Sequence, residues 1–151
     1  MKLLNNYSAL VDAIIQAEME GVKEREKILF LGDTPDYIIK AAGFPSLMLA
    51  IKASTIAKAA FDHGMPKSFL KRLPEVIANP KALYRSTSET ALESVVVLTF
   101  EDHRGFPIII PIRPTAKVGR NQIHNLVTSV YGKEGPDVEK RWEESLLWPE
   151  S

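Results

Sequence analysis

The feature that most constrains this chain is a change of hydrophobic period at Asn79-Pro80. Before it, apolar residues recur at helical spacing. Tyr7, Leu10, Val11, Ile14, Ile15, Met19 and Val22 form one stripe of a helix over about 4–26, which reads as a packing helix. After it, β-branched runs take over, with ESVVVLTFE (93–101) and PIIIPIRP (107–114) joined by the turn DHRG. Helices first and a meander of strands afterwards is the α+β pattern. The expected architecture is N-terminal helices packed on a four-stranded antiparallel sheet, its strands at 82–86, 93–101, 107–114 and 122–132. TAKVGRN (115–121) reads as a loop and PDVEKRWEES (136–145) as a short closing helix. Pro111 lies inside a strand and implies an edge or a bulge there.

Within the helical half, ILFLG (28–32) and LMLAI (47–51) are short extended segments. Thr34 is an N-cap candidate with Pro35 behind it, and Gly43 closes that helix. Ser54 is expected to cap TIAKAAFDH, with Gly64 as its C′ residue. Ser68 is expected to cap FLKRLPEVIA, which Pro74 must kink or divide. The domain reading is a helical arm over 1–27 followed by one domain over 28–151.

The 151 residues include no cysteine, so disulfides and thiolate metal sites are excluded. His63, His103 and His124 lack ligand spacing, and neither a metal nor a cofactor is expected. No stretch approaches the roughly 20 apolar residues of a membrane span. The first residues lack a secretory pattern, so the expectation is a soluble protein acting in the cytosol. The formal net charge is zero, but its distribution is uneven. Residues 52–133 hold 12 Lys/Arg against 6 Asp/Glu, net +6, while 1–51 carry net −2 and 134–151 net −4. A basic middle between acidic ends fits a phosphate-binding surface. Unevenly spaced, solvated lysines are the alternative.

Two polar stretches stand out in this basic segment: IKASTIAKAAFDH (51–63) and NLVTSVYGK (125–133). If they meet, they supply what RNA cleavage without a metal needs: a proton acceptor for a 2′-OH, a proton donor for the leaving 5′-oxygen, and cations around the phosphorane. Histidine suits either proton role. His63 is the best candidate, although a helix-end histidine interacting with the helix dipole is the bland alternative. Lys58 shares its helix and Lys52 lies just ahead. Strand alternation over 122–132 puts Asn125, Val127, Ser129 and Tyr131 on one face, expected to line a cleft. His124 falls on the more apolar face and is expected to be packed. His103, in the hairpin turn, is expected to be exposed. Lys117 and Arg120 are candidate phosphate contacts from the loop before the last strand.

K-x4-H-G at 58–64, LP-x5-NP at 73–80, the VVVLT to GFPIIIP hairpin and SVYGK at 129–133 together resemble the MuF C-terminal domain family of phage and polymorphic toxins. That family is grouped with the barnase, EndoU, colicin and RelE-like (BECR) nucleases, and the resemblance covers about 28–148. It implies the BECR-like fold and metal-independent RNA cleavage by a growth-inhibiting toxin, with a cognate immunity protein as inhibitor. Transfer RNA is a candidate target and a host translation factor a candidate activator. Carried onto this chain, the pattern falls on Lys58, His63, Asn125, Ser129 and Tyr131. It implies His63 as acid or base, Lys58 as phosphorane stabiliser, Ser129 and Tyr131 as phosphate or proton-relay groups, and Asn125 as substrate orienter. A non-catalytic protein- or nucleic-acid-binding domain that keeps the fold is the alternative.

Overall fold

A computed structural model describes residues 6–22, 24–87, 93–118 and 122–149. Helix α1 (Tyr7–Met19) turns Tyr7, Val11, Ile14 and Ile15 of the expected stripe inward, but it ends at Met19, and Met19 and Val22 are exposed. Strand β1 (Ile28–Asp33), helix α2 (Asp36–Ala42) and strand β2 (Met48–Lys52) follow. Helix α3 (Ala53–Ala57) runs directly into a π-helical turn (Lys58–Asp62). Pro74 divides the next helix into α4 (Lys67–Lys71) and α5 (Leu73–Ala78). The strands β3 (Ala82–Arg85), β4 (Val95–His103), β5 (Phe106–Lys117), β6 (Ile123–Val127) and β7 (Tyr131–Gly132) come next. Helix α6 (Val138–Arg141), a 3₁₀ turn and strand β8 (Leu146–Trp148) close the described chain.

The protein is α+β as expected, but its sheet is not the four-stranded antiparallel one. All eight strands join a single mixed sheet in the order β1-β2-β6-β5-β4-β3-β8, with β7 paired to β5. The two short extended runs of the helical half account for most of the difference. They form an antiparallel hairpin (β1–β2), and β2 then pairs in parallel with β6, Leu49 opposite Asn125 and Ile51 opposite Val127. At the other end β8 adds to β3. The segment expected to be a loop at 115–117 is the end of β5, bulged between Arg113 and Ala116. The expected single strand over 122–132 breaks after Val127 and resumes as β7. The break lies across from Pro111, which has no N–H to offer a neighbour, and the Thr128 N–H bonds to its carbonyl at 2.9 Å.

Both apolar runs of the central hairpin are buried on two sides. Val95, Val97, Ile108, Ile110 and Ile112 pack with the helices into the main core, which also holds the buried residues of α1. Val96, Leu98 and Ile109 turn to the opposite face, beneath Tyr84 and Trp142. Such runs are apolar without alternation because neither face meets water. The side chains expected to cap helices do other work. No side-chain cap is made at α2 or α3; Thr34 Oγ1 donates to the Leu47 carbonyl at 2.7 Å, and the N–H of Ser54 bonds to the Arg25 carbonyl. Tyr7 ties α1 to α4 by donating to the Leu70 carbonyl at 2.8 Å, and burial pushes its phenol pKa up. No helix among the described residues is long and apolar enough to cross a membrane.

At the surface, Arg72 holds Glu101 through two hydrogen bonds of 2.9 and 2.8 Å, and this contact depresses the Glu101 pKa below its ordinary 4.5. Both side chains are more than two-fifths exposed, so the pair stabilises by less than about 1 kcal/mol. A carboxylate with a lowered folded-state pKa contributes above its unfolded pKa and loses that contribution as pH falls through the folded value. Glu101→Gln is therefore expected to be slightly less stable than wild type at pH 7 and equal to it near pH 2. Urea unfolding at the two pH values measures this; a difference that persists at pH 2 would assign the effect to packing.

Candidate functional site

The two polar stretches do meet. Where β6 breaks and β7 resumes, the sheet leaves room for the end of the α3 π-helical turn. Two adjoining hollows of about 270 and 420 Å³ open there, sharing Asp62 and His63. In an unbroken α-helix His63 would follow Ile56 and Ala59 onto the buried face. The π-helical turn interposes a residue: the N–H of His63 bonds to the Lys58 carbonyl at 3.1 Å, five positions back, and this rotates His63 away from the core. Its ring then lies 5.5 Å from that of Tyr131, tilted by 38°. Gly64 continues at φ +65°, the left-handed conformation that ends the helix and that a side chain resists.

Lys58, His63 and Ser129 line the first hollow with Ser54, Thr55 and Thr128; His63 and Tyr131 line the second. The four residues expected to be catalytic thus share one cleft. Tyr131 is half-buried and stands opposite Ile109 of β5; desolvation raises its pKa, so the hydroxyl stays protonated near neutrality and serves as a donor.

The four residues expected to bind substrate are placed differently. Asn125 is wholly buried. It accepts from the Thr115 N–H at 3.2 Å and donates to Thr34 Oγ1 at 2.8 Å and the Pro45 carbonyl at 3.0 Å. Its amide is spent on the fold, holding the β5 bulge where Thr115 takes φ +50°, and it has no surface to offer a ligand. Asn125 shares its face of β6 with Val127 as alternation predicts, but that face is turned to the main core and covered by the Thr34 and Pro45 segments instead of lining the cleft. Lys117 is exposed but stands six residues beyond Pro111 on β5, roughly 20 Å along the strand from the cleft edge at Thr128. Lys52 sits at the β2–α3 junction, outside the residues that line the cleft. Arg120 lies outside the described residues. His124 packs edge-on against Phe30 at 5.1 Å, away from the cleft.

Sequence reasoning missed His103. It is the last residue of β4 rather than a turn residue, and it is half-buried in the second hollow. His103 lies beside two glycines: a side chain begun at Gly64 would meet its Nε2 at 3.7 Å, an ordinary contact, and one begun at Gly132 would crowd its backbone carbonyl at 3.3 Å. The Nε2 atom is sequestered without a hydrogen-bond partner among the described residues. The overlooked signal is that His63 and Tyr131 are each followed by glycine, a mark of close approach by another segment.

Of the cleft's cations Lys58 was expected, while Arg104 and Lys133 were missed. Several from the basic middle are neutralised at a distance: Lys67 and Lys71 pair with Asp12, Arg72 with Glu101 and Lys81 with Glu139. Lys58, Arg104 and Lys133, all at the cleft, have no ion-pair partner among the described residues. Arg25 enters from the loop after α1 and pairs with Glu18, while the charge of Asp62 also reaches it. Glu134 is the remaining carboxylate of the lining. The cleft thus combines two imidazoles, a protonated phenol, hydroxyls and three cations outside any ion pair, set against the carboxylates of Asp62 and Glu134. That set can hold a phosphodiester and move protons across it.

One family model, described as "Phage MuF-C-terminal domain", matches residues 54–151, more than half of the chain. The match spans Lys58, His63, His103, Ser129 and Tyr131. No curated protein and no solved structure matches.

Proposed function

Because this chain belongs to the phage MuF C-terminal domain family, we propose that it is an endoribonuclease toxin that cleaves RNA by attack of a 2′-OH on the adjacent phosphate. The observation that supports this is the convergence of His63, Lys58, Ser129 and Tyr131 with His103 at one cleft, where Lys58, Arg104 and Lys133 have no ion-pair partner among the described residues. In the proposed reaction a bond forms between the 2′-oxygen and phosphorus and the bond to the 5′-oxygen breaks. A 2′,3′-cyclic phosphate and a free 5′-hydroxyl result. One histidine of the pair takes the 2′-OH proton and the other protonates the leaving oxygen. Lys58 opposes the extra negative charge of the phosphorane, and Tyr131 and Ser129 donate to its oxygens. A toxin of this kind is held in check by a cognate immunity protein, whose natural target is this same cleft.

The test is incubation of total RNA and of transfer RNA with the protein in the presence of EDTA, with the ends of any fragments analysed. Discrete fragments ending in cyclic phosphate are expected. A protein that leaves RNA intact under all conditions, cell extract included, would overturn the reading. Binding without cleavage would point instead to a nucleic-acid-binding domain that keeps the fold.

A further inference from the structure

We infer that the cleft takes single-stranded RNA, with a base next to the scissile phosphate stacked on Phe61. This rests on the ribonuclease reading for the position of the phosphate, while the aromatic platform is a separate observation. Phe61 is 49% exposed, although the surrounding chain had ample core in which to bury a phenylalanine. The hollow it lines is mostly polar: apart from Ala57, the other lining residues are polar or charged, Ser54, Thr55, Lys58, Asp62 and His63 among them. The π-helical turn fixes this arrangement, because Ala59 takes the buried position and Phe61 the outward one, three residues from Lys58 and two from His63. An exposed aromatic ring next to a phosphate-binding cation and a proton-transfer group is what one nucleotide requires: a flat face for the base beside charge for the phosphate.

Strandedness follows from this. A base inside an A-form duplex is stacked above and below and cannot reach a ring on a protein surface, whereas bases of loops and ends can be splayed onto one. Stacking is tolerant of base identity because every base has a π-face. Phe61 therefore selects for unpaired RNA and not for a sequence, and the hydroxyls of Ser54 and Thr55 are the groups placed to contact the base edge.

The experiment measures binding of a fluorescent ten-nucleotide single strand, made uncleavable by 2′-deoxy substitution, to wild type, Phe61→Leu and Phe61→Tyr, with an RNA hairpin stem as competitor. Wild type is expected to bind the single strand, and the stem to compete at least tenfold less well. Phe61→Leu keeps the bulk but loses the ring face, and is expected to weaken binding about 5- to 100-fold. Phe61→Tyr is expected to stay within about twofold. Equal affinity of Phe61→Leu and wild type, no binding by wild type, or equal competition by the stem would each overturn the inference. The outcomes separate it from the ribonuclease reading. Tight, Phe61-dependent binding by a protein that never cleaves RNA removes the reaction and keeps the platform. Cleavage by Phe61→Leu at the wild-type rate, with unchanged binding, removes the platform and keeps the reaction.

Discussion

Replacing His63 by alanine is expected to slow RNA cleavage by about 10²–10⁴-fold, the usual contribution of a positioned acid or base, while RNA binding falls much less. His63 is the histidine common to both hollows, and its ring lies against Tyr131. Alanine there removes the proton-transfer group but leaves Lys58, Arg104 and Lys133 to hold the phosphate. His63 is also only partly buried at the end of its helix, so the variant is expected to fold, which thermal unfolding checks. Tyr131→Phe is the graded comparison. It keeps the ring contact and loses one neutral donor, worth about 1 kcal/mol or roughly fivefold in rate. If both variants cleave RNA at the wild-type rate, the chemistry happens elsewhere on the protein. A bell-shaped pH profile for wild type, with one limb absent from His63→Ala, would distinguish a proton-transfer role from a positioning one.

How much of this was legible in the sequence depends on the range over which each interaction acts. Pro74 dividing a helix, Gly43 ending one and the β4–β5 hairpin are local matters, and the residues themselves announce them. The pairing of β2 with β6 joins Leu49 to Asn125 and leaves no local trace. LMLAI therefore reads as an extended segment without revealing that it enlarges the sheet. The burial of Asn125 is equally non-local, since the groups that cover it are Thr34 and Pro45, at least 80 residues earlier. At the site, Lys58, His63, Ser129 and Tyr131 were recognisable because helix end and strand exit carry unusual concentrations of polar, chemistry-bearing side chains. His103 was not, because a histidine beside a turn is ordinarily solvated. The segments that half-bury it, around Gly64 and Gly132, are far away in sequence.

Asn125 presents the second large effect, on stability and not on the reaction. Asn125→Ala is expected to lower the unfolding free energy by about 1–3 kcal/mol, the cost of leaving a hydrogen-bonding group in the fold without its partner. The side chain is fully buried and links three segments: the β5 bulge through the Thr115 N–H, the α2 entry through Thr34, and the loop before β2 through the Pro45 carbonyl. Truncation strands the Thr115 N–H, an unpaired group costing about 1–3 kcal/mol if it stays dry, while the Pro45 carbonyl keeps the Leu47 N–H as a donor at 2.9 Å. Thr34 loses least, since its hydroxyl still donates to the Leu47 carbonyl. Thr115 is itself exposed, so water that reaches the loosened bulge offsets part of this loss. Thr34→Ala should therefore cost less than Asn125→Ala, and the double variant less than the two together, because the pair share a direct hydrogen bond. Urea unfolding of the four proteins measures this cycle. RNA affinity at a temperature where all remain folded is expected to be unchanged. A stable Asn125→Ala protein that has lost RNA binding would return Asn125 to the site and overturn its assignment as a structural tie.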